Sequence, residues 1–205
     1  MKCFNTTGLC IPAKHYMVDI SDRLAEIRKL VDGGKYFVIN RGRQYGKTTT
    51  IRALCESLYS DYIVLSLDFQ AIGDAVFKTE GTFVQGMCRI LCDAAEFFDA
   101  PIPDNYQKEF EALNEKSEES VKMDELFRVF MRWFREAQKP VVLIVDEVDS
   151  ATNNQVFLDL LAQLRLLYLK REGNPKVKTF QSVILAGVTD VKHLKSKIRP
   201  EEAAK

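Results

Sequence analysis

Three consecutive residues, Gly46, Lys47 and Thr48, are the part of this sequence best suited to chemistry, because together they can bind a chain of phosphates. The apolar run YFVI at 36–39 precedes them, and the sequence TTIRAL at 49–54 follows as a predicted helix. Successive backbone N–H groups of such a loop wrap nucleotide phosphates, and the positive end of the helix points at the same place. In this arrangement Lys47 would contact the β- and γ-phosphates, and the Thr48 hydroxyl would ligate Mg²⁺.

The predicted phosphate loop departs from the usual pattern G-x-x-x-x-G-K-[ST] at its first position. Five residues before Gly46 the chain has Arg41, and Gly42 comes one position late. Either the loop is one residue tighter than usual, or Arg41 takes the place of the first glycine with an allowed φ. The predicted phosphate-binding residues are Arg41, Gly42, Arg43, Gln44, Tyr45, Gly46, Lys47, Thr48 and Thr49. The alternative is a strand-to-helix turn whose lysine and threonine only begin a helix.

A second candidate group is the carboxylate pair Asp146 and Glu147. The pair follows five consecutive aliphatic residues at 141–145, a run typical of a strand buried on both faces of a parallel sheet. The C-terminal end of such a strand is where an open α/β sheet binds ligands. Asp146 would bind Mg²⁺ through water, and Glu147 would polarise an attacking water. The alternative is a strand followed by an acidic turn, which the presence of Gly46-Lys47-Thr48 disfavours.

A polar pair, Thr189 and Asp190, follows the last apolar run, FQSVILAGV at 180–188. If that strand lies beside the Asp146 strand, one member of the pair is expected near the γ-phosphate, the role called sensor 1. We take Thr189 as the catalytic candidate. A strand-end Thr-Asp is as often the cap of a following helix, here at 191–194, and the sequence does not decide between the two.

Apolar periodicity predicts alternating strands and helices around these groups. The predicted strands are 36–39, 62–69, 141–145 and 180–188, and the predicted helices are 22–31, 48–59, 82–98, 123–137 and 153–171. A strand, a helix and a strand at this spacing imply right-handed parallel crossovers. The sequence therefore predicts an α/β fold with a mostly parallel sheet.

Two segments stand apart from this alternation. Residues 1–34 form a predicted N-terminal arm followed by a helix capped by Ser21, with Tyr16 and Val18 as candidates for a wall against adenine; ordinary core packing is the alternative. Residues 100–122 are polar and acidic, and we expect a solvated helix-and-loop insertion without chemistry. On the helix at 123–137, Trp133 is expected in the core rather than as a base-stacking platform.

Composition limits the class of protein. At 205 residues the chain is long enough for one sizeable core. The 29 Lys and Arg residues balance 29 Asp and Glu residues, so no global field attracts nucleic acid or an anionic membrane. Five cysteines and no secretory signal predict a reducing, cytoplasmic location, and no apolar run reaches the ~18 residues of a membrane span.

The loop RGRQYGKT at 41–48 resembles the R-P-R-x-F-G-K-[ST] loop of the predicted AAA-like ATPases of bacteria, relatives of the STAND signalling ATPases. That family also has arginine in place of the first glycine. Gly42 stands here where the family commonly has proline, and Tyr45 where it has phenylalanine. The sequences HYMVDIS at 15–21, VDEVD at 145–149 and LAGVTD at 185–190 also follow the family's order.

The resemblance implies a three-layer αβα P-loop NTPase, with sheet order 5-1-4-3-2, as a single core domain over residues 1–205. It implies ATP or ADP with Mg²⁺ as ligands, and gives Lys47, Thr48, Asp146 and Glu147 the roles described above. A fifth strand, a helical lid and a sensor 2 arginine are not recognisable in the sequence, so we expect them, and any effector domain, in a longer protein. An arginine finger would come from a neighbouring subunit, which makes a homo-oligomer a further expectation.

Three functions fit these features. The first is a molecular switch that binds ATP and hydrolyses it slowly, which Glu147 favours. The second is a nucleotide-binding module without turnover, which the irregular loop and the missing lid favour. The third is a small-molecule phosphotransferase, which Glu147 disfavours because many kinases of this fold lack a water-activating carboxylate at that position.

Overall fold

The computed structural model describes residues 3, 13–16, 18–40, 46–97 and 100–188, which form strands alternating with helices. The strands are β1 (Tyr36–Asn40), β2 (Ile63–Asp68), β3 (Val141–Asp146) and β4 (Ser182–Gly187). The helices are α1 (Ser21–Asp32), α2 (Lys47–Leu58), α3 (Glu80–Phe97), α4 (Asp104–Asn114), α5 (Met123–Glu136) and α6 (Gln155–Gly173). Short 3₁₀ turns occupy Phe69–Ala71, Asp74–Phe77 and Val148–Ser150.

All strand pairs in the sheet are parallel, and the strand order is β1-β4-β3-β2. The predicted parallel α/β fold is therefore confirmed, and the four described strands follow the 1-4-3-2 part of the predicted order. A fifth strand does not lie within the described residues. Because parallel strands end at the same edge, the residues that follow β1, β3 and β4 all leave the sheet on one side.

The sheet separates two apolar layers, which confirms the three-layer arrangement. Side chains alternate between the faces of each strand, so neighbouring aliphatic residues enter different layers. On one face, α1 and α2 pack against Val64, Val142, Ile144, Ile184 and Ala186. On the other face, α3, α5 and α6 pack against Leu65, Leu67, Val141, Leu143, Val145, Val183 and Leu185. Burial of each such side chain contributes roughly 1.5–3 kcal/mol, so the central strands are the most firmly held part of the molecule.

Helix α1 differs from the prediction at its first residue. Ser21 is the first helical residue rather than the cap, and its N–H donates to Asp19 Oδ1 at 2.9 Å. Ile27 and Val31 are buried, whereas Leu30 is 42% exposed and lies outside the inner face. Gly33 and Gly34 follow the helix, and Gly34, with a φ of 66°, turns the chain into β1.

Helix α4 is a correction to the expectation of a solvated insertion at 100–122. Tyr106, Phe110 and Leu113 are buried and belong to the core formed with α3 and α5. The Tyr106 ring stacks on Trp133, with ring centroids 6.1 Å apart, and Trp133 is 1% exposed. Trp133 is thus a core residue, as predicted, and α4 covers it.

Arg171 joins three elements at the end of the sheet opposite the strand C termini. Its Nη1 donates to the carbonyls of Phe180 and Gln181 at 2.7 and 2.9 Å, and its Nη2 donates to the Gly34 carbonyl. The guanidinium also lies over the ring of Tyr36, 5.6 Å from the centroid. Helix α6, the approach to β4 and the α1–β1 turn are therefore held by one side chain. None of the described helices is both long enough and apolar enough to span a membrane.

Candidate functional site

The chain between β1 and α2 has the predicted order of strand, loop and helix. Gly46 is the N-cap of α2, with φ 73° and ψ 26°, a left-handed conformation that glycine adopts without strain. A Cβ on Gly46 would meet no atom within 4 Å, so the backbone conformation and not space favours glycine here. The other predicted loop residues, Arg41, Gly42, Arg43, Gln44 and Tyr45, lie outside the described residues.

Lys47 lies between the two predicted carboxylates, although a hundred residues separate them in sequence. Its Nζ is 2.9 Å from Asp146 Oδ1 and 2.6 Å from Glu147 Oε1. The side chains of Lys47 and Asp146 are 8% and 12% exposed, whereas that of Glu147 is 36% exposed, so the cluster is open to water on the Glu147 side. The structure therefore brings together residues that were predicted to bind phosphate and to take part in catalysis.

The Lys47 ammonium is held in its charged form. Burial lowers the pKa of Lys47, but the hydrogen bonds and charges of Glu147 and Asp146 outweigh burial and raise the pKa above its ordinary value. One lysine between two carboxylates leaves an excess of one negative charge. Two of the three N–H donors of Lys47 are directed at these carboxylates, so a phosphate group can use the third or take the place of a carboxylate.

Glu147 has a strained backbone. With φ 54° and ψ 39°, it is the one non-glycine residue with a positive φ in the part of the chain that the structure describes. Its N–H donates to Asp146 Oδ1 at 2.7 Å, the same oxygen that accepts from Lys47. A left-handed conformation costs a non-glycine residue roughly 1–2 kcal/mol, and such residues cluster at functional sites. The strain turns the Glu147 carboxylate from the end of β3 toward Lys47.

The first turn of α2 presents three threonines in different environments. Thr48 is exposed at the site, Thr49 is partly exposed, and Thr50 is buried. The Thr50 hydroxyl donates to the Gly46 carbonyl at 2.9 Å, which fixes the start of the helix. Thr48 is therefore the most exposed of the three threonines, and its role as a Mg²⁺ ligand stays a prediction.

The residues present fit a nucleotide with Mg²⁺ better than a metal alone. Among the described residues, no group of three or more His, Cys, Asp and Glu side chains could hold a metal ion by itself. Mg²⁺ in phosphate-binding sites usually takes one or two protein ligands and completes its shell with phosphate oxygens and water. The exposed Thr48 hydroxyl, the Asp146 carboxylate, the Lys47 ammonium and the N terminus of α2 are a donor set of this kind.

Two further carboxylates lie near this edge, and the sequence analysis did not single them out. Asp68 ends β2 and is paired in register with Asp146, so both side chains leave the same face of the sheet. Its Oδ1 accepts from the Gln70 N–H at 2.8 Å. Asp149 follows Glu147 by two residues, and its Oδ2 accepts from the Val188 N–H at 2.5 Å. The available signal for Asp68 was an acidic residue at the end of the edge strand β2, and the signal for Asp149 was the acidic sequence DEVD at 146–149.

The remaining predicted site residues have mixed outcomes. Strand β4 lies beside β3 as the sensor 1 prediction requires, but Thr189 itself lies outside the described residues. Tyr16 is 55% exposed and Val18 is 83% exposed, so core packing, the alternative considered for them, is wrong. Their contact with adenine stays a prediction.

The family model described as an AAA-like domain matches residues 14–198. The chain belongs to this AAA-like domain family. The match covers both the phosphate loop and the carboxylate strand, and it confirms the resemblance noted in the sequence. The AAA-like domain described above is thus a nucleotide-binding P-loop ATPase core.

Several solved structures are similar to this AAA-like domain. They include Cdc6p from Pyrobaculum aerophilum, with 15% identity and a TM-score of 0.49 over 88% of this chain and 41% of that chain. The ORC2 protein of Aeropyrum pernix, in ADPNP–ADP complexes, has 18% identity and a TM-score of 0.44 over 88% of this chain and 43% of its own. Drosophila ORC bound to GC-rich DNA and Cdc6 has 15% identity and a TM-score of 0.42 over 87% of this chain and 27% of its own. This chain therefore spans less than half the length of each of these chains, and no curated protein matches it.

Proposed function

We propose that this domain binds ATP or ADP with Mg²⁺ beside Lys47, Asp146 and Glu147, and hydrolyses ATP slowly as a nucleotide-dependent switch. The observation that supports the proposal most directly is the position of Lys47 Nζ, 2.9 Å from Asp146 and 2.6 Å from Glu147. These are the three side chains that phosphate transfer to water requires: one to bind phosphate, one to hold the metal and one to activate water.

Binding would begin at the N terminus of α2. The first N–H groups of a helix have no partners within the helix, and its dipole adds positive charge at the same point. Gly46 shapes the backbone there, and Lys47 supplies a full positive charge that remains in place at neutral pH. The β- and γ-phosphates of a nucleotide would satisfy both the helix end and the lysine.

The metal would be held from two sides of the site. Thr48 would be a direct ligand, and Asp146 would hold the ion through water, as predicted from the sequence. When bound, Mg²⁺ neutralises charge on the β- and γ-phosphates and so favours phosphate transfer. Asp146 Oδ1 already accepts from Lys47 and from the Glu147 N–H, which orients the carboxylate for this role.

Glu147 is the proposed general base, and its contact with Lys47 explains why turnover would be slow. The Oε1 atom of Glu147 is occupied by Lys47 Nζ at 2.6 Å, so it is not available to a water molecule in this arrangement. When a γ-phosphate binds Lys47 in place of Glu147, the Glu147 carboxylate becomes able to polarise a water molecule. Thr189, as sensor 1, would contact the γ-phosphate from the end of β4.

The second candidate is a nucleotide-binding module without turnover, which the same ion pair favours because it occupies the general base. A phosphotransferase remains disfavoured, since Glu147 directly follows Asp146. We treat residues 1–205 as one core domain. A neighbouring subunit is the proposed source of a catalytic arginine, whereas the zero net charge gives no indication of nucleic acid binding.

The experiment that distinguishes these functions is a steady-state ATPase assay on the purified chain as a dilute monomer. We expect measurable hydrolysis well below the ~1 s⁻¹ at the low end of typical enzymes, because a supplied arginine finger is worth about 10³–10⁵ in rate. The activity should disappear in Glu147→Gln and persist in Glu119→Gln, an exposed control. Binding without any hydrolysis in the parent, at any concentration of chain, would favour the second candidate instead.

A further inference from the structure

The strands β3 and β4 are in register only as far as the pair Val145 and Leu185. Beyond this pair, the end of β4 stays paired with β1, where Gly187 lies opposite Asn40. Strand β3 ends at Asp146, and Glu147 follows it. The backbone ladder between the two central strands thus stops one residue before the catalytic carboxylates. A contact outside the ladder must therefore set the distance between these carboxylates and Val188, the residue that follows β4.

The side chain of Asp149 bridges this gap. Its Oδ2 accepts a hydrogen bond of 2.5 Å from the N–H of Val188, the residue directly after β4. A hydrogen bond from a backbone N–H to an ionised carboxylate is stronger than one between neutral groups. It therefore extends the connection between the Glu147 turn and β4 past the end of the ladder.

Gly187 is adapted to this contact. A Cβ at Gly187 would lie 2.8 Å from Asp149 Oδ2 and 3.1 Å from Val148 Cγ2, both closer than an ordinary contact allows. Gly187 has no positive φ, so the requirement is for space and not for backbone conformation. The absence of a side chain at this position is what lets the Asp149 carboxylate reach the Val188 N–H.

The turn that carries Asp149 is itself well anchored. Val148 and Ala151 are fully buried, and the Ala151 N–H donates to the Val148 carbonyl at 2.9 Å. The Thr152 hydroxyl donates to the Asp149 carbonyl, also at 2.9 Å. The carboxylate of Asp149 thus belongs to a well-anchored turn. Asp149 lies two residues after Glu147, and one hydrogen bond joins its side chain to the residue that follows β4.

We propose that Asp149 is a positioning residue that fixes the end of β4 relative to Glu147. The turn that carries the proposed general base is thereby held against β4. This inference rests on the proposed function. The proposed phosphate-binding residue Lys47 belongs to a different element, α2. Loss of Asp149 should therefore lower ATP hydrolysis and leave the affinities for ADP and ATP close to those of the parent.

The test uses Asp149→Ala, Asp149→Asn and Gly187→Ala in the full chain, with Asp159→Ala on the exposed side of α6 as control. For Asp149→Ala we expect unchanged dissociation constants for ADP and ATP and a drop of about tenfold or more in ATP turnover. Asp149→Asn keeps a carbonyl oxygen that can accept from the Val188 N–H, so it should recover part of the turnover. Calorimetry with each nucleotide and a steady-state assay supply the readouts.

Gly187→Ala provides an independent route to the same contact. Its new methyl group displaces the Asp149 carboxylate, so the double variant with Asp149→Ala should be no worse than either single variant. Loss of ADP and ATP affinity in Asp149→Ala would show a merely structural role and overturn the inference. Unchanged turnover in both Asp149→Ala and Gly187→Ala would overturn it as well. A parent chain that binds neither nucleotide, or that hydrolyses no ATP, would instead contradict the proposed function.

Discussion

Lys47 has two negative partners and is positioned to exchange them for phosphate. Asp146 and Glu147 hold its ammonium at 2.9 and 2.6 Å, and together they raise its pKa despite its burial. The two carboxylates are not equivalent, because Asp146 also accepts from the Glu147 N–H and is 12% exposed, whereas Glu147 is 36% exposed. At the scale of single residues, Glu147 is therefore the partner that Lys47 can release at lower cost.

This difference predicts divided roles for the two carboxylates. Glu147→Gln removes one competitor for Lys47, so Mg·ATP should bind at least as tightly as to the parent while hydrolysis is lost. Asp146→Asn should weaken the part of the affinity that depends on Mg²⁺. Titrations with and without Mg²⁺, together with a turnover assay, measure both effects. Identical behaviour of the two variants in both assays would show that the roles are not separate.

A second residue-scale prediction concerns the dependence of stability on pH. The pKa of Lys47 is raised in the folded protein, so its ion pairs contribute stability that is fully present below the unfolded pKa of about 10.4 and is lost as pH rises through the folded value. The difference in unfolding free energy between the parent and Lys47→Met should therefore be constant from neutral pH to about pH 9 and change only above about pH 10.4. Urea unfolding at a series of pH values measures it. A difference that already changes between pH 6 and 8 would contradict the raised pKa.

At the scale of elements, the hydrophobic pattern of the sequence was sufficient to predict the four described strands and most of the helices. The aliphatic run that became β3 could only be a buried parallel strand, and its end located Asp146 and Glu147 correctly. The burial of helix α4 was underestimated, because Tyr106, Phe110 and Leu113 are spaced for one helical face but are separated by charged residues. The contact between Asp149 and Val188 could not be predicted, since it depends on where the β3–β4 ladder stops.

Arg171 provides the element-scale prediction. Its side chain is 16% exposed and donates to the carbonyls of Gly34, Phe180 and Gln181. Arg171→Ala leaves these carbonyls without their donor and should lower the unfolding free energy by about 2–3 kcal/mol. Arg171→Lys keeps the charge but not the planar set of N–H donors, so its unfolding free energy should lie between those of the parent and Arg171→Ala. Urea unfolding measures the change, with the exposed Arg165→Ala as a control expected within about 0.5 kcal/mol of the parent.

At the scale of the whole molecule, the site lies at one edge of the sheet and the structural contacts of Arg171 lie at the other. The AAA-like domain therefore places the contacts of Arg171 away from the residues proposed to bind nucleotide.

The measurement that tests the proposed site most directly is a calorimetric titration of the chain and of Lys47→Ala with Mg·ATP. Because Lys47 is the buried cation of the site, its loss should weaken binding by about 2–5 kcal/mol while circular dichroism shows an intact fold. Lys35→Ala, which removes an exposed lysine at the other end of β1, should bind like the parent. Equal affinity for Mg·ATP in Lys47→Ala and the parent would contradict the assignment of this cluster as the phosphate site.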